Sequence, residues 1–213
     1  MISFGFEDIR SVLLLGAHSD DIEIGCGATV LRLIDEHPEI EITWVVLSGS
    51  DSRRKEAELS AQCFLQSAKS ARVVVESFRD GFFPYDGALV KDRFERLKDE
   101  VSPDLIFCHH GVDRHQDHRL VCELTWNTFR NHCILEYEIP KYDGDLGTPN
   151  IFVPVSDAQR ERKTALLLKC FPSQATKHWF AAETFSGLMR LRGLESNAPS
   201  GYAEAFYARK LCL

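Results

Sequence analysis

The 213-residue chain has no apolar run long enough to cross a bilayer, no block of like charge and no Cys-x-x-Cys pair. Each absence removes a class of function. The apolar run nearest the start, "SVLLLGA", falls well short of the ~20 residues that a spanning helix needs. The opening "MISFGFEDIR" carries acids where a secretory signal would be basic. No membrane segment or export signal is read here, and a cytoplasmic location is the expectation. A formal net charge of -7, without a basic stretch, argues against nucleic acid as a partner, because phosphates require a basic face. The same lack argues against an anionic membrane surface.

The seven cysteines (Cys26, Cys63, Cys108, Cys122, Cys133, Cys170 and Cys212) are odd in number and scattered. That pattern reads as free thiols in a reducing compartment, mostly acting as small core residues. There is no internal repeat and no clean linker. With 44% hydrophobic residues, the chain reads as a single domain over 1–213.

Apolar runs alternate with helical patterns through the first two-thirds. Strands are predicted at 11–16, 41–48, 71–78 and 104–110. Helices are predicted at 27–36, 52–68, 88–101 and 117–132. This alternation implies βαβ units, hence an α/β fold with a Rossmann-like, mostly parallel sheet and helices on both faces. The last third is less regular. A Pro- and Gly-rich loop over 137–154 enters a strand, helices are predicted at 157–170 and 178–192, and 195–211 begins as a loop and finishes as a strand.

Two polar clusters stand out from this scaffold. "LLLGAHSDDIEIGCG" ends the first strand in His18, Asp20 and Asp21. "HHGVDRHQDHR" ends the fourth in His109–Arg119, with His115 and His118 at i and i+3. Ligands of such sheets bind beyond the carboxyl ends of the strands, so both clusters reach one edge. Taken alone, the Asp pair reads as a turn or helix cap and "DRHQDH" as a charged turn. Together, imidazoles and carboxylates at one edge suit zinc or a similar divalent cation, with one position left for water. One His and one carboxylate from the first cluster and one His from the second complete such a site. Adjacent side chains diverge, so only one Asp of the pair coordinates and the other is free as a base.

"AHSDD" followed by "GCG" resembles the first motif of the PIG-L/LmbE-like N-deacetylases. "DRHQDH" resembles their second motif, through His110, Asp113, His115, Asp117 and His118. "RRKEAELSAQCFL" resembles a family helix through Arg53, Glu56 and Ala61, and "SQ" (173–174) and "YAEAF" (202–206) continue the likeness weakly. Ser19 stands where Pro is usual. The resemblance implies a hydrolase, with one zinc or other divalent ion per chain, that removes acetyl from an N-acetylated amino sugar such as N-acetylglucosamine. It assigns His18, Asp21 and His118 to the metal. It makes Asp20 the general base and His115 the oxyanion partner and proton donor, oriented by Asp117. Arg53 would bind substrate, with Arg54 as its substitute, and His110 and Asp113 are further substrate-side candidates. The sugar is left open: free, lipid-linked, nucleotide-linked or part of a thiol-glycoside or antibiotic. A homo-oligomer is compatible with the sequence.

Several subsidiary expectations follow. His109 should point away from the site, because neighbours on an extended chain alternate. Gly25 and Gly27 should let the backbone pass the metal loop and start the helix. Phe82, Phe83 and Tyr85 are candidate sugar-stacking residues, and 141–145 is a second candidate wall. His37, His132 and His178 read as structural. "DRHQDH" also resembles the metal-binding run of metallo-β-lactamase-like hydrolases, which neither explains "AHSDD" nor fits the parallel alternation. An inactive metal- or sugar-binding protein on the same scaffold is the other alternative. A dinucleotide site is disfavoured, since "GCGATV" lacks the third glycine.

Overall fold

The computed structural model describes residues 5–211. Cys212 lies outside the described residues. β1 (Ser11–Gly16), β2 (Glu41–Val46), β3 (Ser70–Val75), β4 (Leu105–His109) and β5 (Cys133–Tyr137) form the parallel part of a seven-stranded sheet. β6 (Ile151–Pro154) and β7 (Ala203–Tyr207) complete it in the order β3-β2-β1-β4-β5-β7-β6, with β7 antiparallel to both neighbours.

β1 is central, so both of its faces are covered and its sequence is a near-continuous apolar run. Alternate side chains serve opposite faces. Leu14, Trp44, Phe107 and Tyr137 join one core, beneath α1 (Asp21–Glu36), α2 (Asp51–Phe64) and α5 (Asp157–Cys170). Leu13, Leu15, Val45 and Ile106 join the other, beneath α3 (Gly87–Glu100) and α4 (Gln116–Thr128). α6 (Ala182–Ser196) packs on β7. The strand order reverses between β1 and β4, which are neighbours in the sheet although they lie far apart in the chain. The crevice beyond their carboxyl ends is where such sheets take ligands.

α1 begins six residues before the predicted start, at Asp21 itself. Gly25 and Gly27 are therefore helical, and their role is packing rather than loop flexibility. A Cβ on Gly25 would lie 2.2 Å from the Tyr137 ring, and one on Gly27 would lie 2.8 Å from that of Phe64. α1 is also held at its middle. Lys163 and Glu204, both buried, pair at 2.6 Å. Lys163 donates to the Ile24 carbonyl at 2.6 Å, while Glu204 accepts the N–H groups of Ala28 at 3.0 Å and Thr29 at 2.6 Å. α5 and β7 thus grip the helix that presents Asp21.

β5 falls in "CILEY", at the boundary between the predicted helix at 117–132 and the predicted loop at 137–154. It is short, and the preceding helix stops earlier than predicted, at Thr128. The last helix runs Ala182–Ser196 rather than 178–192. Cys26, Cys63, Cys108, Cys122, Cys133 and Cys170 are free thiols. Among the described residues, no helix is long and apolar enough to cross a membrane.

Candidate metal centre and active-site cleft

The loop after β1 and the loop between β4 and α4 meet at the reversal point. His18 Nδ1 lies 3.2 Å from His118 Nε2 and 3.3 Å from Asp21 Oδ2, and His118 Nε2 lies 3.5 Å from Asp21 Oδ1. Ligands ~2.0–2.1 Å from a tetrahedral zinc stand ~3.3 Å apart. The two imidazole nitrogens match that spacing and each faces one oxygen of the Asp21 carboxylate, a donor set that suits a borderline cation. His118 Nδ1 faces Asp113 Oδ2 at 3.0 Å. Donation there puts the ring's proton on Nδ1 and leaves the Nε2 lone pair toward the other two donors.

The electrostatics are those of a carboxylate-rich cluster that draws in positive charge. Burial pushes Asp21 up, but His118, His109 and His18 outweigh it and hold the carboxyl well below its ordinary range. Burial opposes charge on His18, yet Asp21, Asp117 and Asp80 raise it well above the usual imidazole value. Burial and then His109 lower His118, favouring the neutral ring that a metal requires.

Asp20 adjoins this cluster without joining it. It is 6% exposed. Its Oδ1 meets Arg53 Nη2 at 2.8 Å, and its Oδ2 has no partner. Burial raises its pKa, and Arg53 pulls it back. Arg53 is itself fixed by Glu56 at 2.9 Å, while Glu56 accepts the backbone N–H of Ser173 at 2.8 Å and its hydroxyl at 2.7 Å. Arg54 instead bonds the carbonyls of Val75 and Glu76.

His115 is the N-cap of α4, and its Nδ1 accepts the Asp117 N–H at 3.3 Å. That bond places the neutral ring's proton on Nε2. Burial, then His118 and His18, lower its pKa. The Asp117 carboxylate does not bond His115. Its Oδ2 lies 3.1 Å from His18 Nε2 and accepts the Gly81 N–H at 2.7 Å, and its Oδ1 accepts that of Phe83 at 3.1 Å. Asp117 reaches His115 through its backbone alone. Gly81 holds φ at +77°, a conformation that glycine adopts readily.

A cleft of about 740 Å³ opens over these groups. His18, Asp20, Arg53 and His115 line its floor, and Lys141, Tyr142 and Trp179 stand at its wall. The 141–145 segment therefore contributes to the cleft. Phe82, Phe83 and Tyr85 do not line it. Phe83 is fully buried, and Phe78 supplies the aromatic side chain from that region.

Two expectations from the doubled histidine are reversed. His109 points inward. It is fully buried and stacks on His118 at 3.8 Å between ring centroids. His110 turns away, stacking on Tyr207 at 3.7 Å and meeting Glu136 at 2.7 Å. Alternation separates the two rings but does not say which faces which layer. Asp113 sits behind His118 and also pairs with Lys141 at 2.9 Å. Asp80, 3.1 Å from His18 Nε2, lies in a loop with no recognisable metal-ligand spacing.

A family model described as "PIG-L: GlcNAc-PI de-N-acetylase" matches residues 13–129. The uncharacterized deacetylase YaiS of Escherichia coli K12 is 29% identical over 171 residues, covering 75% of this chain and 90% of that protein. Among solved structures, the N,N'-diacetylchitobiose deacetylase of Pyrococcus horikoshii superposes with a TM-score of 0.73 at 22% identity, over 95% of this chain and 85% of its own. GalB, a 4-carboxy-2-hydroxymuconate hydratase of Pseudomonas putida KT2440, does so with a TM-score of 0.78 at 17% identity, over 96% and 98%.

Proposed function

Because the chain belongs to the PIG-L family of de-N-acetylases, we propose that it is a zinc-dependent N-deacetylase that hydrolyses the acetamide of an N-acetylated amino sugar. One observation carries the reading. Donor atoms of His18, Asp21 and His118, residues up to 100 positions apart, converge within 3.5 Å beside a buried carboxylate that is not among them.

His18, Asp21 and His118 would hold the ion. Once bound, zinc supplies Lewis acidity toward the amide carbonyl and makes a water more acidic. The protein's own groups do the remaining work. Asp20, with Oδ2 unpartnered, takes a proton from the attacking water as general base. Arg53 opposes the upward push of burial on that carboxylate and aims it. His115 donates a hydrogen bond from Nε2 to the oxygen that gains charge, and the proton that Asp20 took from the water passes to the departing amine. An amide nitrogen leaves readily only when protonated, so the proton taken from the water must reach it, which leaves Asp20 ionised and His115 neutral for the next turnover. Tyr142 and Trp179 give the sugar an apolar wall of aromatic rings.

The fold does not select this chemistry by itself, since a hydratase shares it. The mostly parallel sheet fits the deacetylase reading and not the metallo-β-lactamase alternative. The test is release of free amine and acetate from a panel of N-acetylated sugars. Activity should vanish on chelation and return with zinc or cobalt. A metal-loaded protein that releases acetate from none of them, or activity indifferent to chelation, overturns the proposal.

A further inference from the structure

His109 is the one residue on β4 whose ring touches both halves of the metal centre. Its Nε2 accepts the Ala17 N–H at 3.0 Å, in the residue just before His18. The same atom is 3.1 Å from Asp21 Oδ2. Its ring lies nearly parallel to that of His118, at 16° and 3.8 Å. Behind it, Tyr137 packs edge-on at 4.8 Å. Tyr137 in turn occupies the space that Gly25 leaves and donates to the Leu15 carbonyl at 2.6 Å. β1, β4, β5 and α1 therefore meet through one imidazole.

The geometry points to His109 as a positioning residue that sets the His118 ring by stacking and the backbone entering His18 through the Ala17 N–H, without itself ligating. His109 lies close enough to Asp21 and His118 for the three to hold a cation, but its nitrogens offer no free lone pair there. The Nε2 lone pair is occupied by Ala17, and Nδ1 is buried with no hydrogen-bond partner. A histidine retained with an unpaired buried nitrogen calls for an explanation that packing does not supply, because phenylalanine would fill the site without that loss. The bond from Ala17 and the stack on His118 supply one. Groups that orient metal ligands typically change metal affinity by 10–100-fold when removed.

The inference rests on the metal reading above, but it is tested by metal affinity and not by turnover. His109→Phe keeps the ring stack and loses both nitrogens. His109→Gln keeps an acceptor for Ala17 and loses the stack. Zinc affinity is measured by competition with a chromogenic chelator, alongside Leu97→Ala, a cavity in the core of the opposite face, as a stability control. Both His109 variants should bind zinc 10–100-fold more weakly while the control stays within twofold of the parent. The visible absorption of the cobalt-loaded protein should keep its band pattern in His109→Phe, since the ligand set is unchanged.

Affinity within twofold of the parent in both His109 variants overturns the proposal, as does equal weakening in the control. A changed cobalt spectrum also overturns it, by making His109 a ligand. Parent protein that binds zinc but deacetylates nothing would remove the function proposed above and leave this inference standing.

Discussion

Arg53 sets its guanidinium 2.8 Å from Asp20 Oδ1 and is locked there by Glu56 and Ser173. The pair couples the helix after β2 to the loop after β1. It also sets two opposing influences on one carboxylate, burial raising its pKa and the guanidinium lowering it.

Arg53→Met should lower kcat about 10–100-fold, the equivalent of a charged hydrogen bond worth ~1.5–3 kcal/mol. With the cation gone, burial drives the Asp20 pKa upward. A general base must be ionised, so the acidic limb of the kcat/KM profile should move to higher pH. An unmoved limb would show that Arg53 acts on substrate alone.

Asp20→Asn should retain zinc within a few-fold and lose ~10²–10⁴ of the deacetylation rate, the usual contribution of a positioned base. Metal analysis and amine release on the same sample check both halves. Full activity would remove Asp20 from the chemistry.

His115 and His118 stand three positions apart with different duties. His118→Ala should strip the metal and leave the protein inactive. His115→Ala should keep the metal and turn over slowly. The opposite pattern of bound zinc would show that the two roles are exchanged.

Gly25→Ala should be destabilising by ~2 kcal/mol, because overpacking against Tyr137 outweighs the helix-propensity gain. In a protein of this size that corresponds to a fall in Tm of about 4–8 °C. Calorimetry on Gly25→Ala, Tyr137→Leu and the double variant checks it. If the clash is the cause, the double variant loses less than the sum.

Glu136 contributes to the acid sensitivity of the fold. Burial opposes its charge, but His110, the Gly111 N–H, Trp126 and Arg209 hold its pKa down to about 2, against ~4.3 in an unfolded chain. A lowered folded-state pKa contributes stability that is present above pH ~4.3 and is lost as pH falls toward 2, amounting to about 3 kcal/mol. Urea unfolding across that window should show a steep decline in the parent and a shallower one in Glu136→Gln. Parallel curves would contradict the assignment.

β1 to β4, the helices between them and the two clusters that meet at the sheet edge were legible in the sequence, whereas the fifth parallel strand, β5, was not. Short apolar runs and helical spacing are local signals. The His and Asp spacings of "AHSDD" and "DRHQDH" mark chemistry before any fold is known. What the sequence left ambiguous depended on neighbours distant in the chain. The glycines of "GCG" are helical because Tyr137 and Phe64 need the room. Only tertiary structure decided that His109 faces the metal ligands and His110 faces Glu136, because alternation separates two side chains without naming the layer each enters. It likewise directed the Asp117 carboxylate to His18 and the 80–83 loop rather than to His115. The physical reason is that orientation in a packed interior is set by which groups share the space, and those groups come from strands and helices far apart in the chain.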